Sequence, residues 1–235
     1  MSSYSRIILL SLLFFTSSIQ ALPAYTEDLN IMLALDSEKE HNVNNSFKYY
    51  NDLYNNTKSK EYLKKAIFYS YKAKKIDDMY KLSKIAVEEF PKYKEYYSQQ
   101  MIIALLLQTK ITQAFKEAKK LLRKYPNAAS YEIMANVYYA NKDYKNSLKY
   151  YESAYVIDQN ENTLIKLTNV LYTYLNKKDV ALAYLETYVQ TKGCTKKVCD
   201  KLMLIYQEQG NVDGMLSILN RMYLKYKKNP SLDKS

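Results

Sequence analysis

One stretch of 34 residues, Ala128–Glu161, constrains the fold of this chain more than any other. Two groups of apolar and small side chains recur in it at helical spacing, separated by the polar Asn141-Lys142-Asp143. The first group is Tyr131, Met134, Ala135 and Tyr138, and the second is Ser147, Leu148, Tyr151, Ala154 and Tyr155. This pattern predicts two short amphipathic helices joined by a tight turn. Because neither helix can bury its stripe alone, we expect further hairpins to stack on this one.

The same residues resemble one tetratricopeptide repeat. That family places a large residue, a Leu-small pair and a Tyr in its first helix, and a small residue, an aromatic residue and an Ala in its second. Here these are Tyr131, Met134-Ala135, Tyr138, Ser147, Tyr151 and Ala154, and only Gln159, where Pro is frequent, departs from the pattern. The small Ala135, Ser147 and Ala154 are predicted to lie where the two helices cross closely. The resemblance implies an all-α fold, a right-handed α-solenoid of helix-turn-helix units.

Weaker copies of the pattern extend in both directions, which predicts about six units and twelve helices over residues 22–229. The units begin near residues 27, 60, 95, 128, 161 and 196. The fifth unit carries about one inserted residue, which we expect in its turn. Residues 230–235 have no apolar stripe and are predicted to form a frayed tail.

Composition agrees with helices and leaves the partner open. Gly (3) and Pro (4) are scarce, and no strand-like alternation is present. The 27 Tyr residues are explained by the aromatic positions of the repeats, although stacking on bases or sugars is an alternative. The net charge of +11 is compatible with an anionic partner, but the Lys residues are interspersed with Asp and Glu, as on a solvated surface.

The first 21 residues have the organisation of a secretory signal peptide. Arg6 precedes the apolar run Ile7–Phe15, and a small, polar segment ends at Ala21 as the expected cleavage residue. The alternatives are an uncleaved anchor and a buried first helix. We therefore expect a periplasmic or secreted protein of a bacterial-type envelope, for which nucleic acid is not an expected partner.

Cys194 and Cys199 are the two cysteines of the chain, at the junction of the fifth and sixth units. In an exported protein such a close pair is expected to form a disulfide, which would stabilise the start of the last hairpin. Their spacing differs from that of redox motifs.

No catalytic or cofactor-binding motif is recognisable, so the sequence predicts no enzyme activity, no cofactor and no metal site. His41, the one histidine, falls in the first inter-helix turn and is interpreted as an exposed turn residue. The three glycines do not form a phosphate-binding loop.

The resemblance implies that a partner segment binds in a concave groove lined by the first helices of the units. The groove positions of units four and five hold Glu132, Asn136, Tyr139, Asn162, Ile165, Asn169 and Tyr172. Asn136 and Asn169 lie one period apart, and their amides could bond an extended backbone; alternatively, Asn is simply frequent at this position in the family. The basic carboxylate clamp of chaperone-binding members is not expected, because Glu132 and Ile165 replace its Lys.

The sequence is compatible with three functions. The first is a non-enzymatic protein–protein interaction scaffold or assembly module of the cell envelope, which binds a peptide segment or helix of another protein. The second is a binder of anionic cell-surface polymer or lipid through a Lys-rich surface, in peripheral contact with the envelope. The third is an enzyme of unrecognised type. As groove residues rather than core residues, Asn136 and Asn169 are predicted to tolerate substitution by Ala without loss of stability.

Overall fold

The computed structural model describes residues 23–228, which form twelve α-helices, one short 3-10 turn and one π-helical segment, without a β-strand. The predicted signal peptide (1–21) and tail (230–235) lie outside the described residues. The helices divide between two compact units, one ending at Gln108 and the other beginning at Thr109. The all-α repeat fold predicted from the sequence is therefore confirmed.

The first unit contains five helices. They are α1 (Pro23–Lys39), α2 (Val43–Thr57), α3 (Lys60–Lys72), α4 (Ile76–Glu89) and α5 (Lys94–Leu107), with a 3-10 turn at Pro91–Tyr93 before α5. Helices α1 and α2 form hairpin one and α3 and α4 form hairpin two, numbered after the sequence repeats. Their apolar stripes meet in one core that includes Leu53, Leu63, Met79 and Tyr97.

The second unit contains seven helices and the π-helical segment. They are α6 (Ile111–Lys124), α7 (Ala128–Ala140), α8 (Tyr144–Ile157), α9 (Glu161–Asn169), the π-helical segment (Val170–Tyr174), α10 (Lys178–Lys192), α11 (Lys196–Glu208) and α12 (Val212–Lys228). Hairpin four is α7 and α8, hairpin five is α9 with the π-helical segment and α10, and hairpin six is α11 and α12.

Local sequence signals explain where the helices of the second unit begin. The side chains of Asn127, Asp143, Asn160 and Thr195 each accept a hydrogen bond from a backbone N–H in the first turn of the helix that follows. These polar N-caps satisfy donors that have no partner within the helix. The small residues of hairpin four are buried as predicted, and the Ser147 hydroxyl donates to the Ala135 carbonyl of the facing helix at 3.0 Å.

Hairpins one, two, four, five and six each have one residue of their turn in the left-handed conformation. These residues are His41, Lys74, Lys142, Asn176 and Gly210. In four of the turns the residue that follows the left-handed one donates its N–H to the carbonyl five residues earlier, as Asp143 does to Tyr138 at 2.9 Å. Hairpin five differs, because Lys177 reaches back six residues to Leu171 at 2.9 Å. The residue predicted as an insertion in this turn is accommodated before it, in the π-helical segment.

Candidate functional site

The seven residues predicted to line a groove all lie on the first helices of hairpins four and five, and we call them the first-helix face. Three belong to α7, three to α9, and Tyr172 belongs to the π-helical segment. None of the seven is fully buried. Most of them contact the first helix of the adjacent hairpin. Side-chain contacts therefore join α7 to the first helix of hairpin five, and that helix to α11.

Glu132 ties α7 to α9. Its carboxylate accepts hydrogen bonds from the Thr163 hydroxyl at 2.6 Å and from the Lys166 ammonium at 2.5 Å. Thr163 is buried and Lys166 is partly exposed, so the carboxylate is held by its own fold. The Glu132 carboxylate is therefore held in place and its charge is balanced by Lys166, so it does not present a free anion on the face.

Asn162 makes the corresponding contact between α9 and α11. The Lys197 ammonium donates to the side-chain oxygen of Asn162 at 2.9 Å. Ile165, on the next turn of α9, is half-buried against the core of hairpins five and six. On α9 the face thus has a polar contact at the surface, made by Asn162, and an apolar side chain that packs against the core, Ile165.

Asn136 and Asn169 occupy equivalent positions but have different surroundings. The side-chain oxygen of Asn136 accepts a hydrogen bond from the Tyr151 hydroxyl at 2.6 Å. The residue of hairpin five that corresponds to Tyr151 is Leu185, which has no hydroxyl. Within residues 23–228 the Asn169 side chain makes no hydrogen bond. Only Asn169 offers an amide with both its donor and its acceptor uncommitted.

The Asn136 contact corrects one prediction from the sequence. Tyr151 is only 3% exposed, and its hydroxyl has Asn136 as its hydrogen-bond partner. Burial raises the pKa of Tyr151, as expected for a phenol kept neutral in the core. Asn136 is thus a hydrogen-bond partner of a core residue, and we expect its replacement by Ala to lower the stability of the fold.

Three tyrosines form a cluster at the turn end of hairpins four and five. The Tyr144 and Tyr174 rings stack with centroids 4.1 Å apart, and Tyr139 meets the Tyr174 ring edge-on at 5.4 Å. The Tyr139 and Tyr174 hydroxyls are 2.7 Å apart and share one hydrogen bond, which is the main cause that raises the pKa of Tyr139 to about 12. Sequence reasoning missed Tyr144 and Tyr174, because a regular period pairs Tyr139 with Tyr172 instead.

Tyr172 points its hydroxyl to α11 rather than to Tyr139. The hydroxyl donates to the Glu208 carboxylate, and this bond is the main cause that raises the pKa of Tyr172. The ammonium groups of Lys178 and Lys201 lie 5.1 and 5.5 Å from the centre of its ring. Glu208 and Lys201 therefore belong to the surroundings of the first-helix face, and neither was identified from the sequence.

A pocket lies on the second helices of the same unit. It has a volume of about 340 Å³ and is formed by residues of α8, α10 and the segment after α8. The residues that line it are uncharged: Tyr155, Gln159, Val180, Ala183, Tyr184, Thr187 and Thr191. It carries no acid, base or nucleophile pair that would indicate a reaction.

The remaining candidates for chemistry have structural surroundings. His41 is exposed in the turn between α1 and α2. Among the described residues no group of three or more His, Cys, Asp or Glu side chains could hold a metal ion. The sulfur atoms of Cys194 and Cys199 meet at disulfide distance, with Cα atoms 5.7 Å apart, and both residues lie in the core of hairpins five and six. No helix within residues 23–228 has the length and apolar character needed to cross a bilayer.

Comparison with solved structures identifies the fold. No family model matches the sequence, and no curated protein is similar to it in sequence. The tetratricopeptide repeat protein TTC0263 of Thermus thermophilus has 13% identity and a TM-score of 0.59, over 77% of this chain and 99% of that one. PilF of Pseudomonas aeruginosa has 19% identity and a TM-score of 0.52, over 78% and 81% of the two chains. MamA of Desulfovibrio magneticus RS-1 has 10% identity and a TM-score of 0.54, over 71% and 95%.

Proposed function

We propose, from the premise that the chain has the tetratricopeptide-repeat fold, that it is a non-enzymatic protein-interaction module. Its ligand is an extended segment of another protein, bound on the first-helix face of α7, α9 and α11. Proteins of this fold present repeated helices at regular spacing, and a regular series of side chains suits a polypeptide with its own regular spacing.

The observation that carries the proposal is the free amide of Asn169. An Asn side chain can donate to a backbone carbonyl and accept from a backbone N–H of the same ligand residue. Tyr139 and Tyr172 of the same face, together with Tyr174, have partly exposed rings, which provide apolar contact area for ligand side chains. Amide and rings together favour a neutral or mixed-charge peptide segment over a highly charged ligand.

The charge distribution of this face argues against an anionic polymer or lipid as the ligand of the face. Lys166 is paired with Glu132, Lys197 with the Asn162 oxygen, and Lys201 lies over the Tyr172 ring. Glu208 adds a further carboxylate beside Tyr172. An anion would therefore meet lysines that already have partners, beside the Glu208 carboxylate.

We also propose that the protein acts as a scaffold or assembly factor in a bacterial-type cell envelope. The signal-like segment 1–21 supports export, and the Cys194–Cys199 pair is suited to an oxidising compartment. Intact-mass measurement of the protein from cell fractions tests the first point, with cleavage near Ala21 as the expected result. Titration of free thiols in unfolded, unreduced protein tests the second, and two reactive thiols would contradict it.

Site-specific crosslinking tests the proposed binding face. A photoreactive amino acid is placed at Ile165 on the face, and at Asn55, an exposed residue of α2, as a matched control. We expect the Ile165 site to crosslink to one short segment of a partner protein in living cells, and the Asn55 site not to do so. Equal labelling from both positions, or labelling that disappears on moderate addition of salt, would contradict the proposal, the latter in favour of an electrostatic ligand.

A further inference from the structure

The last helix carries an apolar stripe that no other part of the described structure covers. Its members recur at spacings of four, three and four, the spacing of a helix–helix seam. They are Val212 (58% exposed), Leu216 (58%), Leu219 (50%) and Tyr223 (61%). Four large apolar side chains in one exposed line form a patch of the kind that marks an interaction surface.

The same positions are covered inside the repeat array. The residues of α8 that correspond to this stripe are Tyr144, Leu148, Tyr151 and Tyr155, none of them exposed. Leu148 and Tyr151 retain only 8% and 3% of their exposure. Helix α12 therefore carries apolar side chains at positions that are covered in α8, but on α12 these side chains are exposed.

The reason for burial elsewhere is the first helix of the following repeat. In the first unit α2 packs against α3 and α4 against α5; in the second, α6 packs against α7, α8 against α9 and α10 against α11. Within residues 23–228, α12 is followed by no helix that could do this. The surface that fits α12 is thus the outer side of a first helix.

Helix α1 presents such a side. Its Leu29, Met32 and Leu35 are all exposed, Met32 by 68%. The α7 residues that correspond to Leu29 and Met32 are Ser130 and Ile133, both buried in the unit where α6 packs against α7. No helix precedes α1 within residues 23–228, so in this described part of the chain its apolar residues have no such neighbour.

The charges of the two helices are opposite. The sequence of α1 contains four acidic residues and one basic residue, and that of α12 contains one acidic and four basic residues. Asp28 and Asp36 are exposed beside the α1 stripe, and Arg221 and Lys227 are exposed on α12. Opposite charges favour pairing of α1 with α12, whereas pairing of α12 with α12, or of α1 with α1, brings like charges together.

We propose that α1 of one copy docks on α12 of a second copy, so that the chain associates head to tail with itself. The contact repeats the packing of a second helix against the next first helix, and it uses different surfaces on the two copies. Such a contact leaves one α1 and one α12 free after each step, so the assembly can continue. A contact between single helices is small compared with the roughly 1,200 Å² of stable interfaces, so we expect a weak, concentration-dependent association.

Two double variants of the full chain separate this arrangement from a symmetric one. The first, Leu216→Glu with Leu219→Glu, places acidic groups on α12 against the acidic α1. The second, Leu29→Lys with Met32→Lys, places basic groups on α1 against the basic α12. Val156→Glu, at a highly exposed apolar residue at the end of α8, serves as the matched control.

Sedimentation velocity over a concentration series gives the readout. We expect the parent and the Val156→Glu control to form dimers and larger species, each double variant alone to stay monomeric, and their equimolar mixture to form dimers and nothing larger. The mixture recovers one intact α1 and one intact α12, which only a head-to-tail contact predicts. Circular dichroism of each variant verifies that it is folded.

Three results would overturn the proposal. One is a parent chain that stays monomeric at all concentrations. Another is continued dimerisation of the Leu29→Lys, Met32→Lys variant alone, which would indicate a symmetric α12 contact. The third is a parent chain that is monomeric in solution but binds vesicles of anionic lipid through α12.

Discussion

Hairpins four and five have the same plan but differ by one residue in the first helix. In hairpin four, α7 is regular, and the left-handed Lys142 follows Ala128 by fourteen residues. In hairpin five the corresponding Asn176 follows Glu161 by fifteen, and the extra residue is taken up by the π-helical segment, where the Leu175 N–H bonds the Val170 carbonyl at 3.1 Å.

The difference shows how the repeat keeps its core while it changes its surface. Val170 and Leu171 stay buried in the π-helical segment, as Val137 does in α7. The residues that follow are rotated, so Tyr174 meets Tyr139 and Tyr172 reaches Glu208. π-Helical turns inside α-helices are frequently found at functional sites, which agrees with a binding face at this point.

The largest effects are expected from cavities in the two cores. We expect Leu148→Ala in hairpin four and Leu185→Ala in hairpin five each to lower the free energy of unfolding by about 2–5 kcal/mol, because the surrounding helices cannot close the space. Leu185 is completely buried and Leu148 slightly exposed, so the loss should be greater for Leu185→Ala. Chemical denaturation measures both values, and a loss below about 1 kcal/mol at Leu185 would contradict the core described here.

Deletion of one residue tests the π-helical segment directly. Removing the exposed Thr173 should change the free energy of unfolding by no more than about 1 kcal/mol, because the segment can relax to a regular helix. Removing Ala140, its counterpart at the end of α7, should cost at least about 2 kcal/mol, since hairpin four has no extra residue and its turn would lose register. Thermal unfolding of the two deletion variants gives the comparison, and equal losses would show that the π-helical segment has no such role.

The two equivalent asparagines should respond differently to the same substitution. Asn136→Ala leaves the buried Tyr151 hydroxyl without its partner and should cost about 1–3 kcal/mol. Asn169→Ala removes no hydrogen bond of the fold and should cost less than about 0.5 kcal/mol. The double variant Asn136→Ala, Tyr151→Phe should recover part of the first loss, because both polar partners are then removed. Equal costs for the two asparagines would contradict the observed contacts.

The smallest effect concerns pH at the Tyr139–Tyr174 contact. The pKa of Tyr139 rises from 10.0 to about 12 in the folded chain, so the folded state keeps a proton that the unfolded state loses. The resulting stabilisation is complete below pH 10 and is lost as the pH rises toward 12. Tyr139→Phe should therefore lose less stability than the parent in this range, whereas Tyr71→Phe, at an exposed residue of α3, should follow the parent. Denaturation at a series of alkaline pH values checks this, and identical curves for Tyr139→Phe and the parent would contradict it.

Much of this fold was predictable because the helical period of apolar residues reports burial. Ala135, Ser147 and Ala154 were identified as close-crossing residues from size and spacing alone, and all three are buried. The predicted location of the extra residue of hairpin five, in the turn, was wrong by a few positions. Val170 and Leu171 are consecutive apolar residues, so the pattern does not show where the regular α-helix ends.

The first-helix face was only partly predictable for a related reason. Sequence position identified Asn136 and Asn169 as equivalent, yet their difference depends on residues of the second helices, Tyr151 and Leu185, which periodicity assigns equally to the core. A Tyr in a buried position needs a hydrogen-bond partner, so Tyr151 was the available signal. The contacts of Tyr172 and Tyr174 depend on the rotation that the π-helical segment introduces, and the repeat period of the sequence does not predict this rotation.

Binding of the crosslinked partner peptide to three purified proteins tests the central proposal most directly. The dissociation constant is measured for the parent, for Asn169→Ala and for the control Asn55→Ala, and their melting curves are recorded in the same buffer. We expect Asn169→Ala to bind about tenfold more weakly, as for the loss of one or two hydrogen bonds, with an unchanged melting curve, and Asn55→Ala to bind as the parent does. Equal affinity of all three proteins would show that the free amide of Asn169 does not bind the partner.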